Sequence, residues 1–467
     1  MKKLLLLSAA VLSAMSSFAV VTDGITYQDV DGLTCTNKWF LGRNYNMDGW
    51  NALPFAGMAV KARTACLANV NGEDKILVGF SKTMTVDETS DDYAHLVVVN
   101  FFTGAVEKTV QLTCNGNPIK GLLCANQVGC DAFNNIWVAG LLSSTYLEPG
   151  EGQTEGKRMP LVVYRVTDLD NGICEVAASL SLTEDETDNA RIDYCDVNGD
   201  ITRTQGPCSV GAAGASSNLV FGWQCEQNSD VWTPKMNDGE YTAARIEEMY
   251  PAASVDWSTA PTLMFVNEEG YAASMMYIDG NKTCPSLYNT SGGIIDSFAN
   301  ASDLAPNPGP NGVAEFTFND DQQFIVYVLN QYDKDPKCAI RVAQLGAGMA
   351  FEGMKSLYEL PEGGVSDGIS DTGTRVHSIF VRVYEDQAGK KGAYILSYKC
   401  NNLLAVYTVA QEGFVDDAGV NDVIADTDSN EPVQYFNLQG VAVDADNMAP
   451  GIYVARQGNK ATKQIVR

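Results

Sequence analysis

Between residues 62 and 411, apolar positions come in short runs of β-branched and aromatic side chains, divided by Gly, Asn and Asp. Strand-like alternation dominates, and almost nowhere does the helical period of 3.6 take over, so the pattern predicts strands. Four runs follow one another at 62–70, 75–80, 95–101 and 105–112, with turn residues at Asn71-Gly72 and Phe102-Thr103-Gly104. Four more lie at 126–131, 136–141, 161–167 and 173–180, turning at Asn134-Asn135 and across 168–172. Sets of three recur at 313–318, 324–329 and 339–344, and again at 375–384, 393–398 and 403–409. Ahead of them, 24–41 predicts one or two strands anchored by Trp39 and Phe40. Only 242–249 reads as a helical turn or two.

A four-strand sheet with two apolar faces cannot bury both alone, and packing sheets radially covers them. The first two sets begin about 64 residues apart, and a four-strand unit recurring at such a spacing is the pattern of a β-propeller blade. Roughly 350 residues at ~40–50 per blade gives about seven blades. The expected fold class is therefore all-β, a β-propeller followed by a small β module. A pair of β-sandwiches is the alternative. The turns around Asn100 to Gly104 and 131–139 (DAFNNIWVA) resemble those of propellers found in surface proteins of Bacteroidetes.

The two ends of the chain differ from this body. Lys2 and Lys3, an apolar stretch over 4–15 and Ser17-Phe18-Ala19 have the layout of a secretory signal peptide over 1–19. The body then spans 20–411. Residues 412–431 are acidic, with few large apolar side chains, and read as a tether in which Val420, Val423 and Ile424 could dock. From 432 to 467 short strands return, with breaks at Gln439-Gly440, Pro450-Gly451 and Gln457-Gly458-Asn459. This tail, YFNLQG followed by APGIYVARQGNKATKQIVR, resembles the C-terminal (type A) sorting domain of Bacteroidetes proteins secreted by the type IX system. The matching positions are Tyr435, Asn437, Leu438, Gly440, Gly451, Ile452 and Tyr453. The resemblance implies export to the outer cell surface or medium, with the type IX machinery as partner.

Charge narrows the partners. The 467 residues carry 58 acidic and 31 basic side chains, a net −27, which repels phosphate backbones and argues against nucleic acid. No stretch after the leader approaches the ~18 apolar residues of a membrane helix. Twelve cysteines in an exported chain predict two or three disulfides beside several buried thiols, although there is no C-x-x-C pair. With only His95 and His377 in the chain, a Cys/His zinc site is not expected.

Candidate chemistry falls on the loops. Long connections at 81–94, 143–160, 181–205 and 358–373 share one face in a propeller register. That face is the expected binding surface, with Asp91, Asp92, Tyr93 and Tyr146 upon it, and plain solvated loops are the alternative. Trp39, Trp137 and Trp223 lie in strand-like runs and read as core, whereas Trp50, Trp232 and Trp257 sit near turns and could stack on a sugar. Asp196, Asn198, Asp200 and Thr202 space oxygens as in a calcium loop. However, Ile201 and Pro207 stand where Gly and Glu are needed, and an Asx-rich turn gives the same string. Gly364-Val-Ser366-Asp-Gly368 matches a nucleophile elbow in letters only, without the strand–helix context. The expected function is non-catalytic binding of a glycan or protein. The alternative is a carbohydrate-active hydrolase or lyase using paired carboxylates in a central funnel.

Overall fold

The computed structural model describes residues 22–43, 47–57, 62–86, 89–121, 124–125, 127–140, 161–180, 194–202, 204–205, 208–213, 220–223, 225–228, 231–234, 236–237, 240–241, 243–245, 262–265, 275–278, 285–288, 294–297, 312–329, 337–366, 377–416, 433–437, 442–444, 448, 451–457 and 460–466. The chain is nearly all β, built from small antiparallel sheets. The signal-peptide stretch 1–19 lies outside the described residues, as does most of the acidic tether.

Among the described residues, the body forms six sets of four strands. The first sheet is Ala62–Val70, Glu73–Val86, Thr89–Asn100 and Val106–Gln111 in simple meander order. The second is Gln127–Cys130, Ile136–Ala139, Leu161–Asp168 and Ile173–Leu180, with a small hairpin, Thr113–Cys114 and Asn117–Pro118, added on its outer edge. The third joins Tyr194–Gly199, Cys208–Ala213, Val220–Trp223 and Ala243–Arg245, so the helical turn expected near 242–249 is a strand at its described positions. The fourth holds Thr262–Phe265, Met275–Ile278, Pro285–Tyr288 and Ile294–Ser297, and the fifth Val313–Asn319, Gln322–Leu329, Lys337–Gln344 and Lys355–Ser366.

The sixth sheet has His377–Glu385, Lys391–Lys399 and Leu403–Gln411 from late in the chain, and its fourth strand is Leu33–Gly42 from the start. Cys35 faces Val409 and Phe40 faces Ala405 in antiparallel register, with a bulge between Asn37 and Trp39. This explains why the last set of sequence runs counts three: the missing strand is at the other end of the chain. The first strands of successive sheets are neighbours, and His377–Glu385 of the sixth also lies beside Ala62–Val70 of the first.

The cores sit between sheets. One layer packs Phe316, Phe324, Val326, Ile340 and Val342 of the fifth sheet against Ile395, Ala405 and Tyr407 of the sixth. A second packs Trp39, Tyr394, Tyr398 and Val406 of the sixth against Ile76, Phe80, Val97 and Phe101 of the first. A third packs Cys66, Leu77 and Leu96 of the first against Val128, Val138 and Val162 of the second. A strand covered on both faces needs no polar side, which is why Leu403-Leu404-Ala405-Val406-Tyr407 runs apolar without alternation and is fully buried.

The expected long loop at 81–94 is instead an extension of the first sheet's central hairpin. Its register runs unbroken from Lys75/Asn100 to Val86/Thr89. The tail forms its own sheet, in the order Ala442–Val443, Gln434–Phe436, Gly451–Gln457, Lys460–Val466.

Candidate functional site

The extended hairpin carries the residues singled out for binding. Period-two alternation sends Asp91 and Tyr93 to one side and Asp92 to the other. Thr83 faces Asp92 across the hairpin, and its hydroxyl donates to the Asp92 carboxylate at 2.6 Å. On the opposite side, the Lys120 ammonium reaches Asp91 at 2.9 Å, and the Asp91 carboxylate lifts the Lys120 pKa. The stretch 112–121 is zipped along the hairpin by Ala94 N to Ile119 O, Leu112 N to Ala94 O and Gly121 N to Asp92 O, all near 3 Å. Ser81, fully buried, accepts from Ala125 N at 3.1 Å. The result is a polar ledge whose charged groups are held on regular backbone.

Tyr93 departs from its expected role. It is buried (7% exposed), and its carbonyl accepts from His95 Nδ1 at 2.9 Å, so its ring is part of the ledge's support and not an open stacking platform. His95 stacks on Phe80 at 4.9 Å, and burial lowers its pKa. Tyr146 and Trp257 lie outside the described residues, and Trp232 is placed only by its backbone in the ribbon Cys225–Asn228 and Val231–Pro234.

Trp50 is a correction. The sequence sets it beside Asp48-Gly49 as a ligand candidate, but it lies on a short helix, Met47–Asn51, and is 2% exposed. Its indole N–H donates to Asn401 Oδ1 at 3.3 Å, and Phe55 meets it edge-on. Apolar packing outweighs the turn context there. Trp39 and Trp137 are core as expected.

The calcium reading also gives way. Asp196 and Asn198 belong to the strand Tyr194–Gly199, while Asp200 caps the turn after it. Asp200 Oδ1 accepts from Thr202 N at 2.8 Å and from the Thr202 hydroxyl at 2.5 Å. Oδ2 accepts from Thr204 N at 2.9 Å and Gln205 N at 2.7 Å. Burial would raise the Asp200 pKa, but these bonds outweigh it and the net shift is downward. Its oxygens are thus taken by turn donors, the Asx alternative. Among the described residues, no group of three or more His, Cys, Asp or Glu is arranged to hold a metal.

That turn belongs to a chain of similar clips. Asn134 Oδ1 accepts from Asn69 N at 2.7 Å, and its amide donates to Asn69 O. Asp131 Oδ2 accepts from Ile201 N at 2.8 Å, and Asn135 donates to Asp200 Oδ1 at 3.2 Å. Arg382 donates to Asn134 Oδ1 at 2.9 Å, and the Tyr384 hydroxyl to Asp74 Oδ2 at 2.7 Å. The first hairpins of the sixth, first, second and third sheets are thereby joined in succession.

Sequence reasoning missed one pair. His377 Nε2 and Ser397 Oγ are 2.7 Å apart, and both residues are wholly buried. Burial, with Lys399 nearby, pushes the imidazole pKa well down. The geometry is that of a base and a hydroxyl, but neither group meets solvent, so the pair supports the interior. The signal was the cross-strand alignment of 377–385 with 391–399, legible only once the hairpin is known. Ser366 ends the strand Lys355–Ser366. Cys35, Cys66, Cys114, Cys124, Cys130, Cys174, Cys195, Cys208 and Cys400 are in no disulfide, so none of the expected two or three bridges forms among these nine.

In the tail, Tyr435 pairs with Ala455 and Tyr453 with Gln464, while Gly451 and Ile452 pair with Val466 and Ile465. Asn437 directly follows the Gln434–Phe436 strand. Leu438 and Gly440 lie outside the described residues.

No family model matches the chain, and no curated protein does. Among solved structures, AofleA from Arthrobotrys oligospora is similar at 10% identity, covering 96% of this chain and 95% of that one with a TM-score of 0.38. A glucose dehydrogenase crystal structure matches at 11% identity over 75% of this chain and 98% of that one, TM-score 0.33. The mannose phosphorylase MPT-4 from Leishmania mexicana, in complex with phosphate ion, matches at 10% over 66% and 88%, TM-score 0.28. Scores this low establish neither a shared fold nor a shared activity.

Proposed function

We propose that the chain is an exported β-propeller that recognises a glycan or protein without turning it over, delivered to the cell surface by the type IX route through residues 432–467. Support for the propeller comes from the neighbouring first strands of successive sheets and from the sixth sheet, which takes its fourth strand from the chain's start. Six sets of four strands favour six blades over the seven that length suggests. The signal-like leader and the sorting-like tail support export, and among the described residues no helix is long and apolar enough to cross a membrane.

The observation that carries the binding reading is the ledge. Asp91 and Asp92, on a strand of 12 residues, are fixed by Lys120 from the stretch 112–121 and by Thr83 on the facing strand of 14 residues. A pre-ordered polar surface loses little entropy when it engages a ligand. A carboxylate already bonded to an ammonium is poorly placed as a general acid. The test is a glycan array probed with the full exported chain and with Asp91→Ala/Lys120→Ala, with reducing-sugar release assayed on every hit. Retention that the double variant weakens supports recognition. Sugar release by the native chain would overturn it in favour of hydrolysis or lysis.

A further inference from the structure

Cys114 and Cys174 lie in direct register where the small hairpin Thr113–Cys114/Asn117–Pro118 joins the edge of the second sheet. The pairing is parallel, Thr113 opposite Ile173 and Cys114 opposite Cys174. It is the only parallel strand pairing among the described sheets. It is two residues long and backed by Thr113 N to Gly172 O at 2.8 Å. In-register residues of neighbouring strands point to the same face, and their Cα atoms fall within the span a disulfide requires.

The approach is enforced locally. Gly172 has φ +66, and a Cβ there would lie 2.1 Å from the Gln111 carbonyl oxygen, so the 169–172 turn can come this close to the incoming chain only as glycine. Asn115 and Gly116, at φ 51 and 76, turn the hairpin immediately after Cys114. The sulfur of Cys114 meets the Val176 N–H, which offsets part of the effect of burial on its pKa. Cys174 is buried, and burial together with the neighbouring Cys114 pushes its thiol up to about 12. Both are free thiols as the structure stands.

We propose that Cys114 and Cys174 form a redox pair that closes to a disulfide, clamping the segment between the first and second sheets onto the second sheet's edge. The co-reactant is a low-molecular-weight disulfide such as oxidised glutathione. Cys114, the half-exposed member, loses its proton to solvent and attacks one glutathione sulfur, giving a mixed disulfide and releasing one glutathione thiolate, which takes a proton. Cys174 then gives up its proton and attacks the Cys114 sulfur, and the second glutathione leaves as thiolate. Two protein thiols are oxidised and one small disulfide is reduced to two thiols. Without the bond, a two-residue pairing holds the hairpin to this edge. With it, the hairpin cannot leave the edge.

The tryptic peptides 109–120 and 166–191 each contain one cysteine, so the test is direct. The full native chain is equilibrated with oxidised glutathione, remaining thiols are alkylated, and the digest is read by mass spectrometry without reduction. The expected result is a linked 109–120/166–191 species lacking two hydrogens, lost on reduction. Amide exchange at 113–118 in the same oxidised sample is expected to slow. In Cys114→Ser, a change at a half-exposed position, Cys174 should stay alkylatable after denaturation and exchange should not respond to oxidant. Full alkylation of both cysteines in the oxidised native chain, a persistent glutathione adduct on Cys114, or a bond from Cys114 to another cysteine would each overturn the assignment.

Discussion

Two seams between sheets use opposite materials. Where the sixth sheet meets the first, the filling is large and aromatic: Trp39, Trp50, Phe55, Phe80, Phe101, Tyr394 and Tyr398. Where the first meets the second, it is aliphatic and mixed in size: Cys66, Ala68, Ala94, Cys124 and Ala125 beside Leu77, Leu96 and Val138, with Tyr164 the one aromatic among its buried residues. The first and second sheets are joined by the short stretch 112–125, whose described residues bond to both, so little loop entropy opposes their contact. The sixth sheet unites residues near 39 with residues near 406. Closing that longer loop costs more entropy, rising only with the logarithm of its length, and the large buried aromatics add buried area against it.

The strongest way to break this contrast is Trp39→Ala. It removes a side chain 1% exposed whose indole donates to Phe101 O at 2.5 Å, and is expected to cost ~3–5 kcal/mol by urea unfolding. Cys66→Ala in the aliphatic seam, also fully buried, should cost only ~1 kcal/mol. Equal losses would show that the seams are not built differently.

The turn clips come next. Asn134 sits at φ 65, which glycine adopts freely, so Asn134→Gly reports the lost side-chain bonds to Asn69 and Arg382 with little backbone strain. A loss of ~1–3 kcal/mol is expected, because partly buried Arg382 loses a partner. A third handle is pH. His377 is kept neutral in the fold, while the unfolded chain takes up a proton near pH 6.5. Because the unfolded state binds more protons below that point, stability should fall as pH drops through about 6.5, by up to ~1.4 kcal/mol per pH unit. His95, lowered for the same reason, adds a smaller fall. Denaturant titrations of His377→Gln should show a flatter slope from pH 7 to 5. The smallest effect is expected at the rim of the seam between the sixth and first sheets, where Lys38 bonds Asp416 and lies 4.5 Å over the Tyr394 ring. Asp416→Asn should cost under ~1 kcal/mol and less still at high salt.

The strands were the legible part of this chain. Runs such as 173–180 and 403–409 fell on observed strands because apolar runs between turn residues are set locally. Pairing across the ends was not legible, since nothing near Leu33 indicates Gln411 as its partner. The stretch 81–94 reads as a loop because Lys82, Thr83, Asp91 and Asp92 are polar, yet they pair across the extended hairpin, where polarity is no bar to strand formation. The His377–Ser397 pair depends on the register of one hairpin, whereas the burial of Trp50 depends on an element hundreds of residues away. Trp50 is covered through Asn401. Asp200 was legible in part, since the same Asx string served both the turn and the metal alternatives.

Pairing of the strand Leu33–Gly42 with Leu403–Gln411 in one sheet is the claim on which the rest depends, and a cross-link tests it most directly. Val409→Cys places a thiol opposite native Cys35 in the observed register, within the Cα separation that a disulfide tolerates. The account predicts that, on oxidation of the folded variant, a peptide containing Cys35 is recovered joined to one containing position 409, and that thermal unfolding shifts upward while the link is intact. Recovery of both cysteines as alkylated monomers from a folded, oxidised sample would contradict it and leave the first and last strands in separate sheets.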